Sequence, residues 1–103
     1  MSATLDSVDI RGFAEIADLV AEHDLLDSIL VVHEITWRVF PMASAVRVEK
    51  YIDPEDGQAS IFFVITGVAI SDVEFVKLDL ELSREVVRAI PGDHVWRIGH
   101  DYE

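Results

Sequence analysis

The histidines and their acidic neighbours are the first candidates for chemistry, because imidazole changes charge near neutral pH and is the commonest metal ligand. His33-Glu34-Ile35-Thr36-Trp37 begins like the helix of a zinc protease, in which two histidines one turn apart bind the ion and the glutamate serves as base. Trp37 stands where the second histidine is required, so the motif fails. His33 instead extends an apolar stripe of Leu26, Ile29, Leu30, Trp37 and Phe40. This predicts a core or interface histidine hydrogen-bonded by a neighbour. His23 and Asp27 are four apart and would share a helical face, but two ligands do not close a metal site. His94 and His100 fall on one face of a predicted final strand, and six residues at about 3.3 Å each set them roughly 20 Å apart. That is too far for one ion or one proton relay. With Trp96, Ile98 and Tyr102 they read as an aromatic-rich packing face whose histidines need partners from elsewhere in the chain.

The other catalytic patterns fail in the same way. Asp53, Glu55 and Asp56 crowd three carboxylates into five residues, but Pro54 and Gly57 fall in the wrong places for a calcium loop. None of the seven serines sits in a Gly-x-Ser-x-Gly elbow. The five glycines form neither a phosphate loop nor a dinucleotide fingerprint. Cysteine does not occur, which removes disulfides, thiolate nucleophiles and Cys-based zinc sites together. No residue is therefore assigned a catalytic, cofactor-binding or metal-binding role, and the chain reads as a non-enzyme.

The elements that would position these side chains follow from apolar spacing. Asp9 is placed to N-cap a first helix with Phe13, Ile16, Ala17 and Val20 on one stripe. The stripe shifts phase at Asp24, which predicts a bend or fresh cap before a second helix that Pro41 ends. Ala45 to Ile52 alternates, with Val46, Val48 and Ile52 opposite Arg47, Glu49 and Tyr51. Asp53-Pro54-Glu55-Asp56-Gly57 supplies turn chemistry, and Ala59 to Val68 completes a β-hairpin.

Two patterns overlap from Ser71 to Ile90. Ser71-Asp72-Val73-Glu74 is a capping box, and Val73, Val76, Leu80, Val87 and Ile90 can share a helix stripe before the Pro91-Gly92 stop. Val76 to Leu82 also alternates as a strand would, and Glu34 to Phe40 carries the same ambiguity. The helix is favoured because a crossover lets the last strand, His94 to Tyr102, join the sheet. The prediction is one α+β domain over 1–103, in the order α-α-β-β-α-β with a small three-stranded sheet. The alternative is an antiparallel meander with helices. This layout, with Phe40-Pro41-Met42-Ala43 before the first strand and Asp53-Pro54-Glu55-Asp56-Gly57 in the hairpin, resembles small bacterial α+β proteins of unassigned function over roughly residues 25–103. The resemblance implies the helical reading of the ambiguous segments. It carries over no activity and no site residue.

Composition narrows the function classes. In 103 residues, 20 acidic side chains against eight basic ones give a net charge of −12. Phosphate backbones require Lys and Arg, so nucleic acid is excluded as a partner, and anionic membrane surfaces repel the same field. The most apolar run, Ile61 to Ile70, has ten residues where a bilayer needs about 20. Met-Ser-Ala-Thr-Leu-Asp-Ser-Val-Asp lacks the basic and apolar regions of a secretory signal, which predicts a cytoplasmic location. Residues 1–41 carry eight acids and two bases, and one or two helices there should present an acidic outer face.

Strand 59–68 is apolar on both sides, with Ile61, Phe63 and Ile65 opposite Phe62, Val64 and Val68. A three-stranded sheet with helices on one side covers one of them, so the sequence predicts a homodimer anchored by Phe62 and Val64, with Tyr51 and Trp96 beside them. The leading functional expectation is a small acidic interaction module, such as an antitoxin, immunity or inhibitor protein, that meets a basic protein. The alternative is a small-ligand-binding protein or hydrolase-like enzyme using His33 or His94 with carboxylates.

Overall fold

The structure, a computed structural model, describes residues 8–103, so most of the stretch read for a secretory signal lies outside it. The chain runs α1 (Phe13–His23), α2 (Leu26–Val39), β1 (Ala45–Ile52), β2 (Ala59–Thr66), α3 (Asp72–Ala89), α4 (Gly92–Val95) and β3 (Ile98–Tyr102). This is the predicted α+β order with one added helical turn.

α1 does not start from Asp9. Its N-cap is Gly12, in the left-handed region at φ 84°. There the chain is pressed against β1: the Val48 N–H donates to the Arg11 carbonyl at 2.9 Å, and a Cβ on Gly12 would collide with the Val48 carbonyl oxygen. The local contact with the sheet, rather than capping chemistry, sets where the helix begins.

The phase shift at Asp24 is a helix end. Asp24 adopts φ 53° and ψ 51° as the C-cap of α1, and the Leu25 N–H returns to the Val20 carbonyl at 2.9 Å. Asp tolerates this conformation but glycine adopts it without a Cβ penalty. Asp24→Gly is accordingly expected to stabilise the fold by about 0.5–1 kcal/mol, or roughly 2–6 °C in Tm. A melting curve that moves down instead would show that the Asp24 side chain contributes more than its backbone strain removes. His23 and Asp27 end on different helices, so they share no helical face.

α2 is rotated from the expected stripe. Ile29, Val32, Ile35, Thr36 and Val39 are buried, while Leu26, Leu30, His33 and Trp37 are half-buried along its flanks. Pro41 follows its end as expected, with Phe40 as the C-cap.

β1 and β2 pair antiparallel with Val48 opposite Phe63 and Arg47 opposite Val64. The connecting turn is held by its own side chains: Asp53 Oδ1 accepts from the Glu55 N–H at 2.8 Å, and Asp56 Oδ1 accepts from the Gln58 N–H at 2.9 Å. The three carboxylates thus shape a turn.

Ser71 caps α3, its hydroxyl accepting from the Glu74 N–H at 3.2 Å. The helix carries the chain across so that β3 pairs parallel to β2, giving the sheet order β1-β2-β3. A parallel pair excludes the antiparallel meander. β3 is shorter than the predicted His94 to Tyr102, because Pro91 starts a single helical turn in which the His94 N–H donates to the Pro91 carbonyl at 2.9 Å. Trp96 therefore leaves the strand face of Ile98 and Tyr102.

The helices gather on one sheet face. Val46, Val48, Ile61, Phe63, Ile65 and Ile98 from the strands form one core with Ile16 and Val20 of α1, Ile29 and Val32 of α2, and Leu82 and Val86 of α3. No helix of the described residues is long and apolar enough to cross a membrane.

Candidate functional site

Three regions place chemistry-bearing or exposed apolar residues together: a polar layer under the helices, the far face of the sheet, and the outer face of α3.

The polar layer joins α2 to the C-terminal segment. The Ser28 hydroxyl is 2.6 Å from His94 Nδ1, and Thr36 Oγ1 is 3.0 Å from His100 Nε2. Thr36 spends its own proton on the Val32 carbonyl at 2.7 Å, so His100 Nε2–H is the donor to Thr36 and Nδ1 is left as acceptor. The two histidines thus have separate partners on α2, 66 and 64 residues away. Ser28 and His94 are a serine–histidine pair, yet Ser28 is buried and out of reach of a substrate. Burial pushes the His100 imidazole down to about 4, outweighing the opposing pull of Asp79, so the ring is neutral at physiological pH. His33 is shifted down by burial too and makes its contact through ring packing, 6.4 Å from Phe63. No hydrogen-bonding neighbour reaches its side chain among the described residues.

Beside this layer lies a cavity of about 220 Å³ lined by Asp79, Ser83, Val86, Val87, Val95, Ile98, Gly99 and His100. Its carboxylate is already engaged: the Tyr102 hydroxyl donates to Asp79 Oδ1 at 2.5 Å. Burial, followed by this bond, raises the Tyr102 phenol above its ordinary range. Tyr102 also packs edge-on against Phe75 at 4.6 Å and Phe40 at 5.7 Å. These groups fasten α2, α3 and β3 to one another. Among the described residues, no three His, Asp or Glu side chains converge to hold a metal ion.

On the far face of the sheet, β2 is partly covered by its own cross-strand neighbours. Val64 is 0% exposed, standing opposite Arg47, which is ion-paired to Glu103 and to Glu49. Phe62 is half-buried, edge-on to Tyr51 at 5.5 Å and lying over Gly99, where a Cβ would displace its ring. Of the four residues expected at an interface, only Tyr51 and Trp96 are exposed, at 47% and 55%.

The outer face of α3 was not read as a site from the sequence. Of the expected core stripe, only Ile90 is buried; Val73, Val76, Leu80 and Val87 are 77%, 57%, 51% and 58% exposed. α3 has two apolar stripes, and it packs the other one inward through Phe75, Leu78, Leu82 and Val86. The signal was present as an apolar residue count too high for one amphipathic face. Along this outer face Lys77, Arg84 and Arg88 alternate with Glu81 and Glu85, and none of the three bases has an ion-pair partner among the described residues. α1 and α2 present an acidic surface, with Glu15, Asp18, Glu22, Asp27 and Glu34 all exposed and, among the described residues, only Asp18 paired to a base across elements, to Lys50 at 2.7 Å. In comparisons with known proteins, the chain has no significant match to a family model, a curated protein or a solved structure.

Proposed function

We propose that the chain is a non-enzymatic protein-interaction module of the antitoxin, immunity or inhibitor kind, acting through its surface. The observation that carries this reading is the outer face of α3. Four of the nine large apolar side chains exposed among the described residues lie there on one line. A continuous apolar strip on a soluble domain marks an interface, because leaving it in water forgoes about 25 cal/mol per Å² of burial. The acidic face of α1 and α2 adds a second contact surface that steers a basic protein toward the module and repels acidic competitors.

Co-purification from the native host at low and high salt tests the reading. A stoichiometric basic partner is expected at low salt, released at high salt, and weakened by Glu15→Lys combined with Glu22→Lys while the melting temperature stays within the small range of surface substitutions. Retention of that partner by the charge-reversed variant at unchanged affinity would remove the acidic face from the reading.

The second reading, a small-ligand-binding protein, has the cavity beside His100 in its favour. That cavity is about 220 Å³, below the roughly 300–1,000 Å³ of ordinary ligand pockets. His94, His100, Asp79 and Tyr102 are also committed to bonds within the fold. Binding of a small molecule that His100→Ala abolishes without unfolding the chain would favour it over the interaction module.

A further inference from the structure

We propose that a second copy of this chain docks along the outer face of α3, with the two α3 helices side by side and parallel. The proposal rests on the interaction-module reading and names the occupant of its apolar surface. Val73, Val76, Leu80, Ser83 and Val87 follow one another at spacings of three, four, three and four. That is the heptad pattern of a two-stranded coiled coil, with Val73, Leu80 and Val87 at one core position and Val76 and Ser83 at the other. The pattern lies on an 18-residue helix about 27 Å long.

Shallow depressions along this stripe match the packing such a pair needs. One is lined by Asp72, Val73, Val76, Lys77 and Leu80, and another by Ser83, Arg84, Val87 and Arg88. Val73, Val76, Lys77 and Leu80 are the four positions that form the hole for a core side chain of a facing helix. Two and a half heptads are too few to hold an isolated helix pair. Here the helix is already built, because its inner face is packed against the domain core, so association does not have to order it.

The flanking charges choose both occupant and direction. Lys77 and Arg84 border the stripe on one side, and Asp72 and Asp79 border it on the other. In a parallel pair each basic flank meets the acidic flank of the other copy, Asp72 against Lys77 and Asp79 against Arg84. Asp79 keeps one oxygen on the Tyr102 hydroxyl, so in that second pair it is the long Arg84 side chain that has to come to the other oxygen. In an antiparallel pair Lys77 and Arg84 would face their own counterparts, a like-charge contact. The stripe is thus complementary to itself. Ser83 at the middle of the seam disfavours register shifts that would set its hydroxyl against Leu80.

Sedimentation equilibrium of the full chain at micromolar concentration tests the pairing. The expected result is twice the 11.6 kDa monomer mass, held or strengthened in high salt, because salt screens the repulsion between two −12 bodies while the seam is apolar. Leu80→Asp and, separately, Val73→Asp are expected to weaken the dimer at least about 100-fold with the melting temperature little changed, since both sites are exposed in the monomer. The chain has no cysteine, so Val73→Cys reports direction on oxidation. A disulfide-linked dimer of Val73→Cys alone supports the parallel pair. Cross-linking only when Val73→Cys is mixed with Val87→Cys overturns it in favour of antiparallel packing. A monomer at every concentration overturns self-pairing, while the interaction-module reading survives if Leu80→Asp abolishes capture of a host protein. If Leu80→Asp changes neither self-association nor capture, both the pairing and the α3 docking surface are wrong.

Discussion

Replacing Phe63 with alanine is expected to lower the unfolding free energy by about 3–5 kcal/mol, the range for deleting a fully buried aromatic side chain. Phe63 is 0% exposed at the middle of the central strand. Its ring stacks on His100 at 5.6 Å and touches His33 at 6.4 Å. A domain of this size has about 5–15 kcal/mol in total, so the variant should lose much of its urea range, whereas Phe63→Leu should lose less because it keeps most of the volume. The same cavity admits water beside His100, so its imidazole should return toward the ordinary value, which histidine NMR titration reads directly. A loss below about 1 kcal/mol in the alanine variant would mean that the helices close over the gap and that Phe63 does not set the spacing between sheet and α2.

Acid should weaken the fold through His100. Its folded value of about 4 lies below the ordinary 6.5, so between those two pH values the unfolded chain holds a proton that the folded chain excludes. Stability rises with pH wherever the unfolded state binds more protons. The contribution is therefore complete above about pH 6.5, falls as the pH is lowered, and levels off below about pH 4. The total is about 3 kcal/mol at 1.36 kcal/mol per unit. His33, displaced in the same direction by burial, adds to the same slope. Thermal melts at pH 7, 5.5 and 4.5 should show this decline, and His100→Gln, which offers an amide N–H to Thr36 without a titrating ring, should flatten it. An unchanged slope in the glutamine variant would move the effect to the carboxylates.

The hairpin was legible because independent signals agree there: alternation in Ala45–Ile52, a largely apolar run from Ala59, and side chains at Asp53 and Asp56 that make the turn from local bonds alone; the run continues to Val68 but the strand ends at Thr66. α3 was legible from Ser71 for the same reason. Which side of α3 faces inward was not, since both of its apolar stripes satisfy helical spacing and only the position of α2 selects Phe75, Leu78, Leu82 and Val86. β3 was overextended because His94 to Arg97 alternates like a strand, while Pro91 and the carbonyl it presents to the His94 N–H start a helical turn. The pairs Ser28–His94 and Thr36–His100 lie beyond local reading altogether, being made across more than sixty residues by hydroxyls that look like ordinary interior polar residues on α2.

The bridge between Arg11 and β1 has a bearing on how the chain behaves at high concentration. An open sheet edge is a template for indefinite strand addition, and a three-stranded sheet has two. On one side the Arg11 carbonyl occupies the Val48 N–H, and the left-handed Gly12 turns the chain away into α1 so that no further strand can follow the same line. On the other, β3 offers only five residues, one of them Gly99, and carries the exposed carboxylate of Asp101. Lateral strand addition is thus disfavoured at both edges of the sheet. The molecule presents an apolar helix to its surroundings on a sheet whose edges are poor templates for a further strand.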